Sequence, residues 1–541
     1  INAQFPSVID VQTRFSAVGV KDRWNVILCV ASGEQHRWDG QNLFNSLGPE
    51  AIESFTENGL CKFKKSVLHR KIWKPGLQAV GEAFEFLNRQ PVPAPMAADQ
   101  NTMFPIRKSI ERQGHTEGAS ATNLFVSSAR DLMNALAKDA RSEGRLSLNP
   151  DLLPAVLAHP LHPTPLLVSS GGTSSRCAGN GLWTLDLKRH YRELRYHEAS
   201  SLVTIGTGLT MAELLEGLRS HQRALPIGLS GVPGSGFLLT GGMGPLSRLQ
   251  GLAMDHIQRI EGVWGNGVAF NVHRDDVIGD ERAARYWRAL LGAAPFLAVV
   301  TELDLRTRPI KPLAVLQERI TVDALPNWIR SAEQWPPSAS LQWSWGDHVE
   351  VYAVECVPDG GTPDLLPALA GEAAEICADQ LSLPVFGRLT SDQKPSPFHC
   401  EVLGRLGSSW GEQAESVVDR LREQMMRRPH PSCRISAQQL GGATGTVAAA
   451  STSFIHRDAV WKPWITAAWT PGDLPGRKHA LEWMDCVSHA LMALNPGVHL
   501  AQLHDHLPCH DQELKDAFGS WLPSLQQLKV ELDPDQRLCR L

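Results

Sequence analysis

At 541 residues the chain is longer than one hydrophobic core comfortably serves, so about two to four domains are expected. Hydrophobic residues make up 43% and charged residues 20%, and a net charge of −5 gives no global attraction to nucleic acid or to an anionic membrane. No apolar run approaches the ~20 residues that cross a bilayer, the ten cysteines form no Cys-x-x-Cys pair, and no Asn-x-Ser/Thr sequon occurs. The opening INAQFPSVIDVQTRF has neither the basic start nor the apolar centre of a signal peptide, so a cytoplasmic location is expected.

Residues 1–118 form a region of their own character and stay unassigned. RWNVILCVAS (23–32) reads as a strand, GPEAIESFTENGL (48–60) as a short helix closed by Gly59, and PVPAPMAADQNTMFP (91–105) as a Pro-rich linker. KFKKSVLHRKIWK (62–74) carries six Lys/Arg and no acid. Nucleic-acid binding and a solvated basic face are its two readings, and the acidic balance of the chain favours the second, so no nucleic-acid partner is expected.

Regular alternation begins at Asn123. SSARDLMNALAKDARSEG (127–144) predicts a helix with Ser128 and Asp131 as capping pair. LLVSSGGTSS (166–175) is a strand running into a small-residue loop, LWTLDL (182–187) a further strand, and SLVTIGTG (201–208) a strand ending in a tight turn. LTMAELLEGLRSH (209–221) predicts a helix with Thr210 and Glu213 as capping box. Residues 225–257 hold eight glycines and few charges, and IEGVWGNGVAFNV (260–272) predicts a hairpin turning at Gly265–Gly267. Residues 285–309 read as helix, loop and strand.

Residues 310–495 change character. LQWSWGDHVEVYAVECV (341–357) shows strand alternation, PDLLPALAGEAAEICADQL (363–381) reads as a helix, TSFIHRDAVWKPWITAAW (452–469) resumes strands, and RKHALEWMDCVSHALMAL (477–494) is a helix. This predicts a separate antiparallel sheet covered by helices. Trp328, Trp335, Trp343 and Trp345 either line an apolar ligand cavity or belong to the core.

Consecutive small residues after a strand let backbone N–H groups converge on one anion, because no Cβ blocks the approach. Neither glycine cluster is followed by the lysine of a Walker loop, and GVPGSG reverses the Gly-x-Gly-x-x-Gly spacing with no helix expected to open directly on it.

Five blocks in order, spanning residues 123–541, resemble the berberine-bridge-enzyme-like flavoproteins within the vanillyl-alcohol-oxidase class, whose FAD domain is of PCMH type. SSGGTS (169–174) is similar to the family's R-S-G-G-H-S, and TGGMGPLSRLQGLAMD (240–255) to G-G-G-x-G-x-L-S-R-x-x-G-L-x-x-D. WRALLGAAPFLAVVTE (287–302) is similar to W-A-L-x-G-G-G-x-G-N-F-G-V-V-T, and FIHR (454–457) to F-P-H-R. PGVHLAQLHD (496–505) and KVELDPDQRL (529–538) resemble the family's ending.

The resemblance implies an α+β fold: a two-lobed PCMH-type FAD-binding domain (119–309), a substrate domain with an antiparallel sheet covered by helices (310–495), and a C-terminal segment (496–541) returning to the first. It implies FAD held at Ser170, Gly171, Gly172, Thr173, Ser174, Gly236, Gly241, Gly242, Gly244, Ser247, Asp255 and Val300. It also implies an oxidoreductase removing hydride from a small specialised metabolite, a small-molecule partner, and no membrane.

The departures from the family pattern are as informative. Thr173 stands where relatives carry the histidine that bonds the flavin, and residues 226–236 hold no cysteine, so non-covalent FAD and a weaker oxidant are expected. Leu500 and Leu503 replace the family's two tyrosines and Gln502 the asparagine between them, leaving the base role vacant. Ala293, Ala294 and Pro295 replace glycines that pass close to the flavin. Candidate replacements are His456, Gln502, His504 and Tyr352, with His504 and His506 sharing one face if 498–506 is a strand. His499, His504, His506 and His510 around Asp505 and Cys509 also admit metal binding or simple solvation, and no metal is expected. The alternative function is a relative that has lost oxidase chemistry and acts as a flavin or ligand binder or a non-redox enzyme.

Overall fold

A computed structural model of the protein describes residues 165–541 apart from 178–182, 189, 357–360 and 385–397, together with residues 123–124, 144–146, 150 and 153–158. The expected strand at 23–32, helix at 48–60, basic run at 62–74, linker at 91–105 and helix at 127–143 lie outside the described residues.

The first lobe contains two sheets. β1 (Asn123–Leu124), β2 (Gly144–Leu146), β3 (Leu167–Ser169) and β4 (Trp183–Asp186) form a parallel sheet in the order β1-β2-β4-β3. β5 (Leu194–His197) and β6 (Leu202–Gly206) join an antiparallel sheet with β8 (Ile257–Trp264), β9 (Ala269–His273) and β10 (Ala298–Arg306), in the order β5-β6-β10-β8-β9. β7 (Arg223–Ala224) and β11 (Arg308–Pro309) make a small ribbon beside it. The β8–β9 hairpin turns at the expected glycines. The helix Met211–Arg219 starts on Thr210, whose capping box with Glu213 is formed.

An eight-stranded antiparallel sheet forms the other domain: β12 (Leu313–Ile320), β13 (Ala339–Trp345), β14 (Val349–Glu355), β15 (Glu375–Cys377), β16 (His399–Leu406), β17 (Arg434–Gln439), β18 (Trp461–Trp469) and β19 (Gly497–Val498). Their order is β15-β12-β14-β13-β17-β18-β16-β19. Helices Ala414–Met426 and Leu474–Met492 pack on each other, and the second lies on β16 and β18. The helix Leu522–Leu532 then packs on the helix Glu281–Leu297 of the first lobe, and Arg537 O accepts from Leu166 N at the head of β3.

Several local expectations are corrected. β13, β16 and β18 are buried along their whole length, so both faces are covered and the polar alternation expected of a half-solvated strand is absent. The region 285–309 has no loop between helix and strand. The helix runs to Leu297 through a kink at Leu291 and Gly292, where φ is +126° at Gly292 and an added Cβ would meet Ser453 Cβ at 2.8 Å. The helix expected over 363–381 stops at Ala370 on Gly371, in the left-handed region, and residues 375–377 instead pair with β12, because the sheet edge supplies backbone partners. Residues 452–460 form turns before β18, and 499–506 form a 3-10 turn and bends rather than a strand. A helix, Ser235–Leu239, does open directly on GVPGSG, with Gly234 as its N-cap. Trp335, Trp343 and Trp345 are core residues, and the Trp343, Trp410 and Trp461 rings pack in series.

Candidate active site

β3 delivers the chain into the loop Ser170–Ser174, where Gly172 takes φ +75°. The second loop is stitched to it. Ser170 Oγ accepts from Ser235 N at 3.0 Å and donates to Thr207 O, which also accepts from Ser235 Oγ at 2.9 Å. Cβ atoms on Gly171 or Gly234 would collide with the opposite loop's backbone, so both positions need glycine for the close approach. Gly236 differs: nothing lies within 4 Å of where its Cβ would be.

These loops floor a cavity that reaches the inner face of the eight-stranded sheet. Ser170, Gly171, Gly172, Thr173, Ser174, Gly236 and Val300 line it, as do Ala294, Pro295 and Met243. Gly241, Gly242, Gly244, Ser247 and Asp255 do not; they build the scaffold behind the wall. Ser247 Oγ accepts from Gly244 N at 2.9 Å, and Gly242 packs on Ala253. Asp255 receives Leu252 N and the Arg457 guanidinium at 2.9 Å, joining the second glycine block to the FIHR turn.

The opposite wall was invisible in the sequence motifs. Tyr352, Gln342, Gln438 and Lys462 stand directly across from one another on β14, β13, β17 and β18, a transverse polar row on one face. Gln342, Gln438 and Lys462 line the cavity, followed along β18 by Trp464 and Thr466. Tyr352, at the far end, is buried and does not line it. The Lys462 ammonium lies 4.5 Å from the centre of the Trp464 ring, and burial pushes its pKa down to about 7. One sequence signal does mark Lys462: it is a lone charge within the apolar run VWKPWITAAW.

The C-terminal segment supplies the remaining wall through His499, Ala501 and Gln502. His499 Nδ1 donates to Gln502 Oε1 at 3.3 Å; burial and neighbouring Lys462 keep the ring neutral, so Nε2 presents a lone pair. Gln502 is thus the one proposed catalytic residue that lines the cavity. His456 does not: its Nε2 donates to Asp516 O at 2.7 Å, its ring packs on Gly497, and burial lowers its pKa.

His504 also turns away, into a buried ionic cluster. Its Nδ1 lies 2.7 Å from Glu513 Oε1, and its Nε2 faces Glu401, which His506 meets at 2.9 Å. Burial opposes charge on His504, yet Glu513 and Glu401 raise its pKa to about 9; burial likewise opposes the Glu513 carboxylate, yet His504 holds it at about 2. His504, Cys509 and Glu513 bring three metal-ligand atoms together, but both His504 and Cys509 donate to Glu513 Oε1, so protons already satisfy the set.

The cavity fits a dinucleotide by its donor chemistry. It is floored by side-chain-poor loops, none of the described lining residues is Asp or Glu, and two buried donors of lining Arg176 have no partner among the described residues.

Residues 153–272 match the family described as FAD binding domain. The FAD-linked oxidoreductase janO of Penicillium janthinellum is 33% identical over 155 residues, which is 27% of this chain and 32% of that protein, so the alignment spans about a third of that relative. Among solved structures, berberine-bridge-enzyme-like 1 of Physcomitrella patens aligns with a TM-score of 0.61 at 16% identity, over 78% of this chain and 91% of that one. The carbohydrate oxidase of Microdochium nivale aligns with a TM-score of 0.62 at 18% identity, over 76% and 98%.

Proposed function

We propose that this protein, a berberine-bridge-enzyme-like flavoprotein by its fold and its FAD-binding domain, oxidises a small specialised metabolite with FAD held non-covalently. When bound, FAD supplies a two-electron acceptor for the hydride of a C–H bond beside oxygen or nitrogen. The Ser170–Ser174 loop would hold its diphosphate through backbone N–H groups. Thr173 offers a hydroxyl, which makes no bond to the flavin methyl carbon.

The observation that carries the reading is the confrontation of those loops with the amide-and-amine row of the sheet across one cavity. Gln342, Gln438 and Gln502 would orient the substrate's hydroxyl or amine by hydrogen bonds. Lys462, largely neutral above pH 7, would accept the proton released as hydride leaves, a role left open by buried Leu500 and Leu503. Dioxygen or another acceptor then takes the electrons.

Purified protein should be yellow and release FAD on acid precipitation, and its colour should bleach anaerobically with a member of an alcohol and amine panel. Colourless protein that ignores added FAD overturns the reading. The absence of any tyrosine among the described lining residues favours a second reading, a flavin binder without oxidase chemistry. A yellow protein that no member of the panel bleaches supports it.

A further inference from the structure

One charged group lining the cavity keeps two donors that are spent neither on the fold nor on proton transfer. Arg176 follows the first glycine loop in the 3-10 turn Ser175–Cys177 and is 8% exposed. Its Nη2 donates to Leu500 O at 3.1 Å, and the guanidinium lies 5.2 Å from the centre of the Phe296 ring. Nε and Nη1 are buried with no hydrogen-bond partner among the described residues.

Buried donors left unmade are costly, and a guanidinium, unlike the Lys462 amine, does not shed its proton to escape. Its charge acts on His499 and His504 and disfavours their protonated forms. The nearby carboxylates Glu401 and Glu513 are held by His504 and His506, and none lines the cavity. No described residue supplies the missing partner of Arg176, and what a guanidinium facing a cavity accepts is an anion.

We propose that Arg176 is the anion anchor of this site, its two free N–H groups taking up negative charge of the flavin nucleotide. This rests on the FAD reading above. The charge has two sources in one ligand, the diphosphate and the isoalloxazine ring on reduction. With no covalent bond at Thr173, this fork adds to the backbone N–H groups of the Ser170–Ser174 loop in retaining the cofactor.

The test uses apoprotein of the full chain, wild type and the variants Arg176→Gln and Arg176→Lys. FAD, ADP and riboflavin are titrated by fluorescence or calorimetry, and the midpoint potential of bound FAD is measured by dye equilibration. Loss of a charge-assisted pair predicts affinity weakened about ten- to a hundred-fold in Arg176→Gln, with partial recovery in Arg176→Lys. Parallel loss for FAD and ADP, with riboflavin unchanged, assigns the diphosphate. Unchanged binding of oxidised FAD with a more negative potential assigns the reduced ring. Arg176→Gln with wild-type unfolding temperature, affinities and potential overturns the anchor while leaving the FAD reading intact. If Arg176→Gln does not fold, Arg176→Lys decides alone: affinities and potential equal to wild type sink the proposal. Wild-type protein that binds no flavin nucleotide removes both readings.

Discussion

Gln438 and Lys462 face each other directly across β17 and β18, an amide beside an amine on the wall opposite the glycine loops. The chain separates them by a turn-rich stretch, and the antiparallel register brings them to one face of the sheet. A buried amine with no carboxylate facing it among the described residues of the cavity lining is poised to lose its proton near neutrality.

The rate of flavin reduction should therefore rise with pH through about 7 and level off above it, because the amine must be neutral to accept a proton. Lys462→Met should flatten that profile and slow reduction about 10²- to 10⁴-fold while still binding FAD. Stopped-flow reduction across about pH 5.5–8.5, about 1.5 units either side of 7, checks it; an unchanged profile removes Lys462 from the chemistry. Stability should move as well. The folded pKa lies below the ordinary lysine value, so the unfolded chain binds more protons between about 7 and 10.5, and folding strengthens as pH rises through that window.

Two glycines two positions apart in the chain, Gly234 and Gly236, should separate fold from cofactor. Gly234→Ala drives a Cβ into Ser170 and the backbone of Gly171, and should lower the unfolding temperature as well as abolish FAD binding. Gly236→Ala meets only empty cavity, so the chain should fold normally yet bind FAD about ten-fold more weakly if the dinucleotide lies there. Equal FAD affinity in Gly236→Ala and wild type would move the cofactor away from this wall.

The His504–Glu513 pair should give the C-terminal segment a bounded pH range. Glu513, with its pKa depressed to about 2, contributes stability that is present above the ordinary glutamate value and lost as pH falls toward 2. His504, raised to about 9, contributes stability that is whole below the ordinary histidine value and lost as pH rises through 9. The pair is therefore at full strength between about pH 4.5 and 6.5. Glu513→Gln leaves a buried imidazolium without its partner and should cost about 3–5 kcal/mol there, read by denaturant melts. A melt difference independent of pH would contradict the pairing.

Asp255 should behave as a structural residue. Asp255→Asn breaks the buried bridge to Arg457 and should destabilise by about 3–5 kcal/mol. FAD affinity, measured in the folded fraction, should change little, because Asp255 does not line the cavity. A loss confined to FAD binding would return Asp255 to the cofactor set.

Cys177 and Cys539 both line the cavity, so acid precipitation also tests the mode of flavin attachment. Free FAD in the supernatant is the expected result. Flavin that stays with the pellet would point to one of these two thiols, and peptide mapping would tell which.

Chemistry carried by contiguous residues was legible in the amino-acid order. The Ser170–Ser174 loop, the Thr210 capping box and the Gly265–Gly267 hairpin each depend on neighbours within a few positions, and each formed as read. Composition misled where tertiary context decided. His504 and His506 looked like solvent-facing or catalytic histidines, but Glu401, about a hundred residues earlier on β16, and Glu513 draw them into a buried ionic cluster.

The sequence alone therefore determined that small-residue loops end strands in the first lobe, since backbone reach and the lack of a Cβ are properties of adjacent residues. What stands opposite those loops was decided only in three dimensions. Lys462, Gln438 and Gln342 come from separate strands, and register across the sheet, which no single segment encodes, turns three scattered polar residues into one wall.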